Sequence, residues 1–234
     1  TGPAVWGAAR VADGALIRQG TPISVALVQG NIAQDQKWDR AHATSIFRTY
    51  LELSREAAER GARLIIWPES ATPFFFEETE VGRESIRELA RDTRATLLFG
   101  SDQIEHTPPP QYFNAAYLVG PDGETKAVYR KIHLVPFGEY VPFKRLLFFA
   151  SPLVESVSDF SAGDEAVMLP TYGHQVSTAI CYEIVYPALI RQFVLAGSEL
   201  LTTITNDAWY GRTSAPYQHF EQAAMRAIEQ GRYL

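Results

Sequence analysis

Short β-branched apolar runs alternate with longer stretches of helical period along the first half of the chain, and that alternation admits few architectures. Ile23-Ser-Val-Ala-Leu-Val28 reads as a strand, ended by Gln29-Gly30-Asn31. A helix follows from about Arg40 to Arg60, with Ala43, Ile46, Phe47, Tyr50, Leu51 and Ala57 on one face and Gly61 as its stop. Arg63-Leu-Ile-Ile-Trp67 reads as a second buried strand, and a helix at 83–94 with a strand at 95–99 repeats the unit. Strand–helix–strand repetition of this kind argues an α/β fold.

The second half varies the pattern. Tyr112 to Val119, the turn Gly120-Pro-Asp-Gly123 and Glu124 to Lys131 read as an antiparallel hairpin. Residues 132–163 are rich in Pro, Phe and Gly without a clear period, as functional or mobile loops are. An apolar strand at 174–180, a helix at 187–197 and a strand at 199–205 follow. The last helix, from about Pro216 to Gln230, places Phe220, Ala223, Ala224, Ala227 and Ile228 on one expected apolar face. Residues 1–20 have no sustained period and read as a linker or incoming arm, which leaves 21–234 as one domain.

The single cysteine, Cys181, stands where the 174–180 strand meets the next helix, a place where α/β proteins often put reacting groups. A buried inert thiol and an activated nucleophile are both open readings. One cysteine excludes an internal disulfide and a multi-cysteine metal site. His133 and His219 lack partners at ligand spacing, so no metal is expected. The net charge of -6 gives no support to a nucleic-acid partner. Neither a Gly-x-Gly-x-x-Gly nor a Walker loop offers a nucleotide site, and no Gly-x-Ser-x-Gly elbow offers a serine hydrolase. No apolar run of about 18 residues occurs and the N-terminus does not read as a signal peptide, so the sequence reads as a soluble domain.

Glu69, Lys131 and Cys181 each follow an expected strand, where a parallel sheet gathers side chains. Taken singly, Glu69 reads as a helix cap or a solvated loop acid, Lys131 as a surface charge, and Glu139 equally as a plain loop acid. Taken together they make an acyl-transfer apparatus: a carboxylate to accept the thiol proton, and an ammonium to stabilise thiolate and oxyanion.

Trp67-Pro-Glu69, Tyr129-Arg-Lys131 and Cys181-Tyr-Glu183, in this order, resemble the nitrilase (carbon–nitrogen hydrolase) superfamily and its Glu-Lys-Cys triad. Val28-Gln-Gly-Asn-Ile32, Lys37-Trp-Asp39, the run from Tyr129 to Pro142, Cys181 to Pro187 and Thr205 to Gly211 are similar, more narrowly, to its apolipoprotein N-acyltransferase branch. The resemblance implies a four-layer αββα sandwich. It implies Cys181 as nucleophile, Glu69 as general base, Lys131 as oxyanion partner and Glu139 as the second glutamate supporting the lysine. Tyr182 and Glu183 match positions flanking the nucleophile, and Trp38 matches a tryptophan near the acyl-binding region.

The implied reaction passes an acyl group from a membrane phospholipid, through a Cys181 thioester, to the amine of a diacylglyceryl-cysteine apolipoprotein. It needs no cofactor or metal. The implied setting is the periplasmic face of a bacterial inner membrane, with the sequence incomplete at its C-terminal end and without membrane helices. The phenylalanines of loops 71–80 and 132–160 (Phe74 to Phe76, Phe148 and Phe149) then read as hydrophobic lids at the bilayer, or as ordinary core. A soluble amidase using the same triad and a silent lipid- or partner-binding domain are the alternatives.

Overall fold

The computed structural model describes residues 2–14, 20–33, 37, 39, 41–142 and 159–234. An N-terminal helix α1 (Gly2–Asp13) buries none of its residues. The sequence offers no periodic apolar face there, and alanine-rich composition is enough to favour the helical backbone.

A five-stranded sheet comes next. Its strands are β1 (Val25–Leu27), β2 (Leu64–Ile66), β3 (Thr96–Glu105), β4 (Gln111–Val119) and β5 (Thr125–Arg130), in that spatial order. β1, β2 and β3 are mutually parallel; β4 is antiparallel to both β3 and β5, so β5 runs in the direction of β2. Helix α2 (Ala43–Glu59) joins β1 to β2, and helix α3 (Glu80–Thr93) joins β2 to β3. Gly61 follows α2 with φ +88°, the left-handed stop that glycine adopts without a Cβ clash.

A second sheet of three strands holds β6 (Leu169–Thr171), β7 (His174–Ile180) and β8 (Leu200–Ile204), with β7 parallel to β8. Between β7 and β8 run a 3-10 turn, Cys181–Val185, and helix α4 (Pro187–Leu195). A second 3-10 turn, Asp207–Tyr210, precedes the last helix α5 (Ala215–Gln230). The short strand β6 goes beyond what the sequence predicts: at three residues it carries no readable period.

Side-chain alternation along β2 builds two cores. Ile65 and Trp67 face Ile46 and Tyr50 of α2 and Ile86 and Leu89 of α3. Leu64 and Ile66 face the other way and join Val176, Ala179 and Ile180 of β7 with Leu189, Ile190 and Phe193 of α4. Both faces of the larger sheet are therefore covered, as the near-continuous apolar composition of its parallel strands requires. The two sheets with helices packed on each give the layered α/β arrangement that the sequence predicts.

The expected face of α5 needs correction. Phe220 and Ile228 are exposed (73% and 74%), and the residues that face inward are His219, Ala223 and Arg226. The helix docks on a polar turn and satisfies carbonyl groups there, a kind of burial that hydrophobic periodicity does not register.

Candidate active site

The parallel strands bring their carboxyl ends to one place. Glu69 follows β2, Lys131 follows β5, Cys181 follows β7, and Thr205 to Asp207 follow β8. Glu69 lies against β3, where Gly100 makes the approach possible. A Cβ on Gly100 would stand 2.6 Å from the Ser70 nitrogen, 2.7 Å from the Glu69 Cα and 2.8 Å from the Pro68 carbonyl oxygen.

Lys131 is 1% exposed and sits between two carboxylates. Its Nζ donates to Glu139 Oε1 at 2.8 Å and lies 3.6 Å from Glu69 Oε1. Burial works against its charge, but the neighbouring Glu69 and Glu139 outweigh burial and hold the ammonium above the ordinary lysine range. Asn114, on β4, bridges the pair: its Nδ2 donates to Glu69 Oε1 at 2.8 Å and to Glu139 Oε1 at 2.9 Å. The other carboxylate oxygens accept backbone N–H groups, Asn206 to Glu69 at 3.1 Å and Val135 to Glu139 at 2.8 Å. Each carboxylate is thus fixed in orientation.

Cys181 opens its 3-10 turn with φ +54°, a left-handed conformation that costs a non-glycine residue about 1–2 kcal/mol. Ser70, next to Glu69, and Phe137, two residues before Glu139, share that rare geometry at φ +44° and +62°. Such backbone outliers gather where surrounding structure over-determines a functional constellation. The Cys181 thiol is pushed up to about 12 by burial and then by the Glu69 carboxylate. Lys131 pulls it down, as do a hydrogen bond with the Thr205 hydroxyl and one from the Tyr182 N–H. Burial thus favours the neutral thiol, with carboxylate and ammonium both in its field.

Glu183 is fully buried. It accepts the Tyr129 hydroxyl at 2.9 Å and the Ile132, His133 and Ile180 N–H groups at 2.7, 3.0 and 2.8 Å. Burial raises its carboxyl while these donors offset part of the rise. Tyr182 is 43% exposed and meets Tyr186 edge to face.

Two further ionisable groups border the cluster: Lys37, which the sequence places in the Lys37-Trp-Asp39 motif without a role, and Asp102, which it does not single out. The Lys37 Nζ donates to the Glu69 carbonyl at 3.0 Å, and burial lowers this lysine against the pull of Glu69, Asp102 and Cys181. Asp102 accepts the Ser70 hydroxyl at 3.2 Å and is raised to about 6, mainly by burial. Sequence reasoning misses Asn114 as well. The available signal is a lone amide inside the otherwise apolar run Phe113 to Val119.

The lid reading of Phe74 to Phe76 is corrected by packing. Phe76 is 0% exposed and meets Phe99 and Tyr117 edge to face at 5.0 Å each. Phe74 packs on Phe47 at 5.0 Å and Phe75 on Tyr112 at 6.2 Å. The backbone turns inward at these positions, where the Ser101 hydroxyl accepts the Phe76 N–H and the Thr72 hydroxyl lies within hydrogen-bond distance of the Ser101 hydroxyl and the Phe74 carbonyl. Trp38, Phe148 and Phe149 lie outside the described residues. Among the described residues no helix is long and apolar enough to cross a membrane.

Residues 24–234 match the family model for carbon-nitrogen hydrolases. An apolipoprotein N-acyltransferase of Geobacter metallireducens is 43% identical over 212 residues, which are 90% of this chain and 41% of that protein. The Pseudomonas putida protein of the same name is 37% identical over 227 residues, 93% of this chain and 43% of its own length. The chain thus spans less than half the length of these curated relatives. Among solved structures, an amidase from Nesterenkonia sp. superposes with a TM-score of 0.64 at 23% identity, covering 92% of this chain and 74% of that one. That likeness bears on the fold.

Proposed function

The chain belongs to the carbon–nitrogen hydrolase family, and from that premise we propose that residues 21–234 carry the catalytic centre of an acyltransferase. In this reading a fatty acyl group leaves a membrane phospholipid, rests on Cys181 as a thioester and passes to the N-terminal amine of a diacylglyceryl-cysteine apolipoprotein. The observation that carries it is the Lys131 ammonium held between Glu69 and Glu139 beside the only thiol, in a chain whose relatives bear that activity in their names.

The chemistry follows from the charges. As the Cys181 sulfur attacks the ester carbonyl carbon, Glu69 takes the thiol proton and Lys131 stabilises the oxyanion. The tetrahedral adduct collapses by breaking the ester C–O bond, and the Glu69 proton goes to the departing lysophospholipid oxygen. The acceptor amine then attacks the thioester carbonyl and gives a proton to Glu69. The C–S bond breaks, and the thiolate regains its proton. Glu139 and Asn114 keep Lys131 and Glu69 in register throughout.

The acyl donor and acceptor both belong to a membrane surface, so the reading places the site at the periplasmic face of a bacterial inner membrane. Trp38, Phe148 and Phe149 are proposed to contact the acyl group. Mass spectrometry of the intact protein incubated with phospholipid tests the reading. One acyl adduct is expected on the wild type and none on Cys181→Ala. An adduct that persists in the variant removes Cys181 from the mechanism. Hydrolysis of small amides without any phospholipid adduct supports a soluble amidase instead.

A further inference from the structure

His219, backed by Asp207, lies outside the triad yet touches the Cys181 carbonyl. His219 is 8% exposed, on the inward face of α5. Its Nδ1 lies 3.0 Å from Asp207 Oδ1 and its Nε2 lies 3.0 Å from the Cys181 carbonyl oxygen. A carboxylate and a carbonyl only accept, so both ring nitrogens must carry hydrogen for both contacts to be hydrogen bonds. That state is the imidazolium. Asp207 Oδ1 also accepts the Thr205 hydroxyl at 2.8 Å, and the Thr205 oxygen reaches the Cys181 sulfur. The contacts form a closed loop that leaves Cys181 at its sulfur and returns at its carbonyl.

We propose that His219 is a positioning residue for the nucleophile: as an imidazolium it bridges Asp207 and the Cys181 carbonyl and holds the turn in its left-handed geometry, with the sulfur toward Thr205. The proposal rests on the reading of Cys181 as nucleophile. The surroundings suit a retained proton. Asp207 and the Tyr210 ring face His219 from the second 3-10 turn, Cys181 from the first, and Glu69 adds a more distant negative charge. Glu183, in the first turn, is engaged with Tyr129. Arg226, further along α5, reaches the Val185 carbonyl and Glu229. The hydrogen bond to Asp207 is the chief cause that raises His219 above the ordinary imidazole value, against the opposing effect of burial. Burial acts to raise Asp207, but its bonds from His219 and Thr205 bring it below the usual carboxyl range.

Losing the proton leaves one N–H for two acceptors, so the loop opens on one side. Because the folded value is raised, the clamp is complete below the ordinary imidazole value and is lost as pH rises through the folded one.

The test uses the intact protein with nitrogen-15-labelled histidine, with phospholipid vesicles as acyl donor. In the wild type at pH 7.5 both His219 ring nitrogens should carry protons in the NMR spectrum. In Asp207→Asn the ring should be neutral at that pH. His219→Gln should slow acyl-adduct formation about 10- to 100-fold, the range for losing a hydrogen bond to a charged group. Asp207→Asn should lose its acylation rate at lower pH than the wild type does, a displacement that a purely structural contact would not produce. A neutral His219 ring in the wild type at pH 7.5 overturns the clamp even if the adduct forms. So does a His219→Gln variant with the wild-type rate and pH profile. A doubly protonated ring in a wild type that forms no adduct overturns the reading of Cys181, and the positioning role with it.

Discussion

The Glu183 carboxylate lies 2.7 Å from the Ile132 amide nitrogen and 2.8 Å from that of Ile180, so one side chain ties the residue after Lys131 to the residue before Cys181. The tie crosses from the five-stranded sheet to the three-stranded one. Glu183→Gln keeps the size but points an amide donor at groups that are themselves donors. We expect a loss of about 1–3 kcal/mol, read by urea unfolding, together with slower alkylation of Cys181. Unchanged alkylation would show that the spacing between the sheets is held by other contacts.

Lys131→Met leaves Glu69 and Glu139 facing each other without their cation. Breaking a buried pair in this way costs about 3–5 kcal/mol, and acyl-adduct formation should cease. Adding Glu139→Gln removes one of the two charges and should recover part of the stability but none of the acylation. If acylation returns with stability, Lys131 acts only through packing.

Gly100→Ala sets a methyl group against three backbone atoms of the Glu69 segment, none of which can rotate away. The segment must shift and take the carboxylate with it. We expect a stability loss of about 1–3 kcal/mol and a larger proportional fall in acyl-adduct formation. A variant that loses stability but acylates normally would show that the carboxylate position tolerates the shift.

Asp102 supplies a pH signature. Its value is raised to about 6, so the native state holds the proton more tightly than the unfolded state does. The stability this contributes is full below about pH 4 and is lost as pH rises through about 6. Asp102→Asn keeps an acceptor for Ser70 and removes the buried charge. It should stabilise the protein on the order of 2 kcal/mol at pH 8 and leave it nearly unchanged at pH 4, as urea unfolding at both pH values would reveal. Equal effects at the two pH values would refute the assignment.

The framework is legible in the sequence because it is written in local patterns. The strand from His174 to Ile180 and the helices near Ala43–Glu59 and Pro187–Leu195 announce themselves by period and by proline or glycine at their ends. Three strand ends foretell the grouping of Glu69, Lys131 and Cys181; the structure brings the first two within 3.6 Å and places the thiol in their field. What stays hidden depends on partners distant in sequence. Asn114 acquires its meaning from two glutamates 45 and 25 residues away. His219 and Arg226 are buried against carbonyl groups, so the apolar period of α5 points to its solvent side. Phe76 lies in a loop, yet it is inside because Phe99 and Tyr117 surround it.

The placement of the proposed base, Glu69, and the proposed nucleophile, Cys181, after strands of different sheets has a consequence for how the protein matures. Glu69 and Lys131 follow strands of the five-stranded sheet, while Cys181 follows a strand of the three-stranded one. Neither half has a working centre, and secondary structure alone does not create one. The Cys181 thiol meets the Glu69 carboxylate and the Lys131 ammonium only when the layers dock through Leu64, Ile66, Val176 and Ile180. On the proposed roles docking works as an interlock: a nascent or partly opened polypeptide holds the cysteine apart from Glu69 and Lys131, and the three meet only in the finished interior.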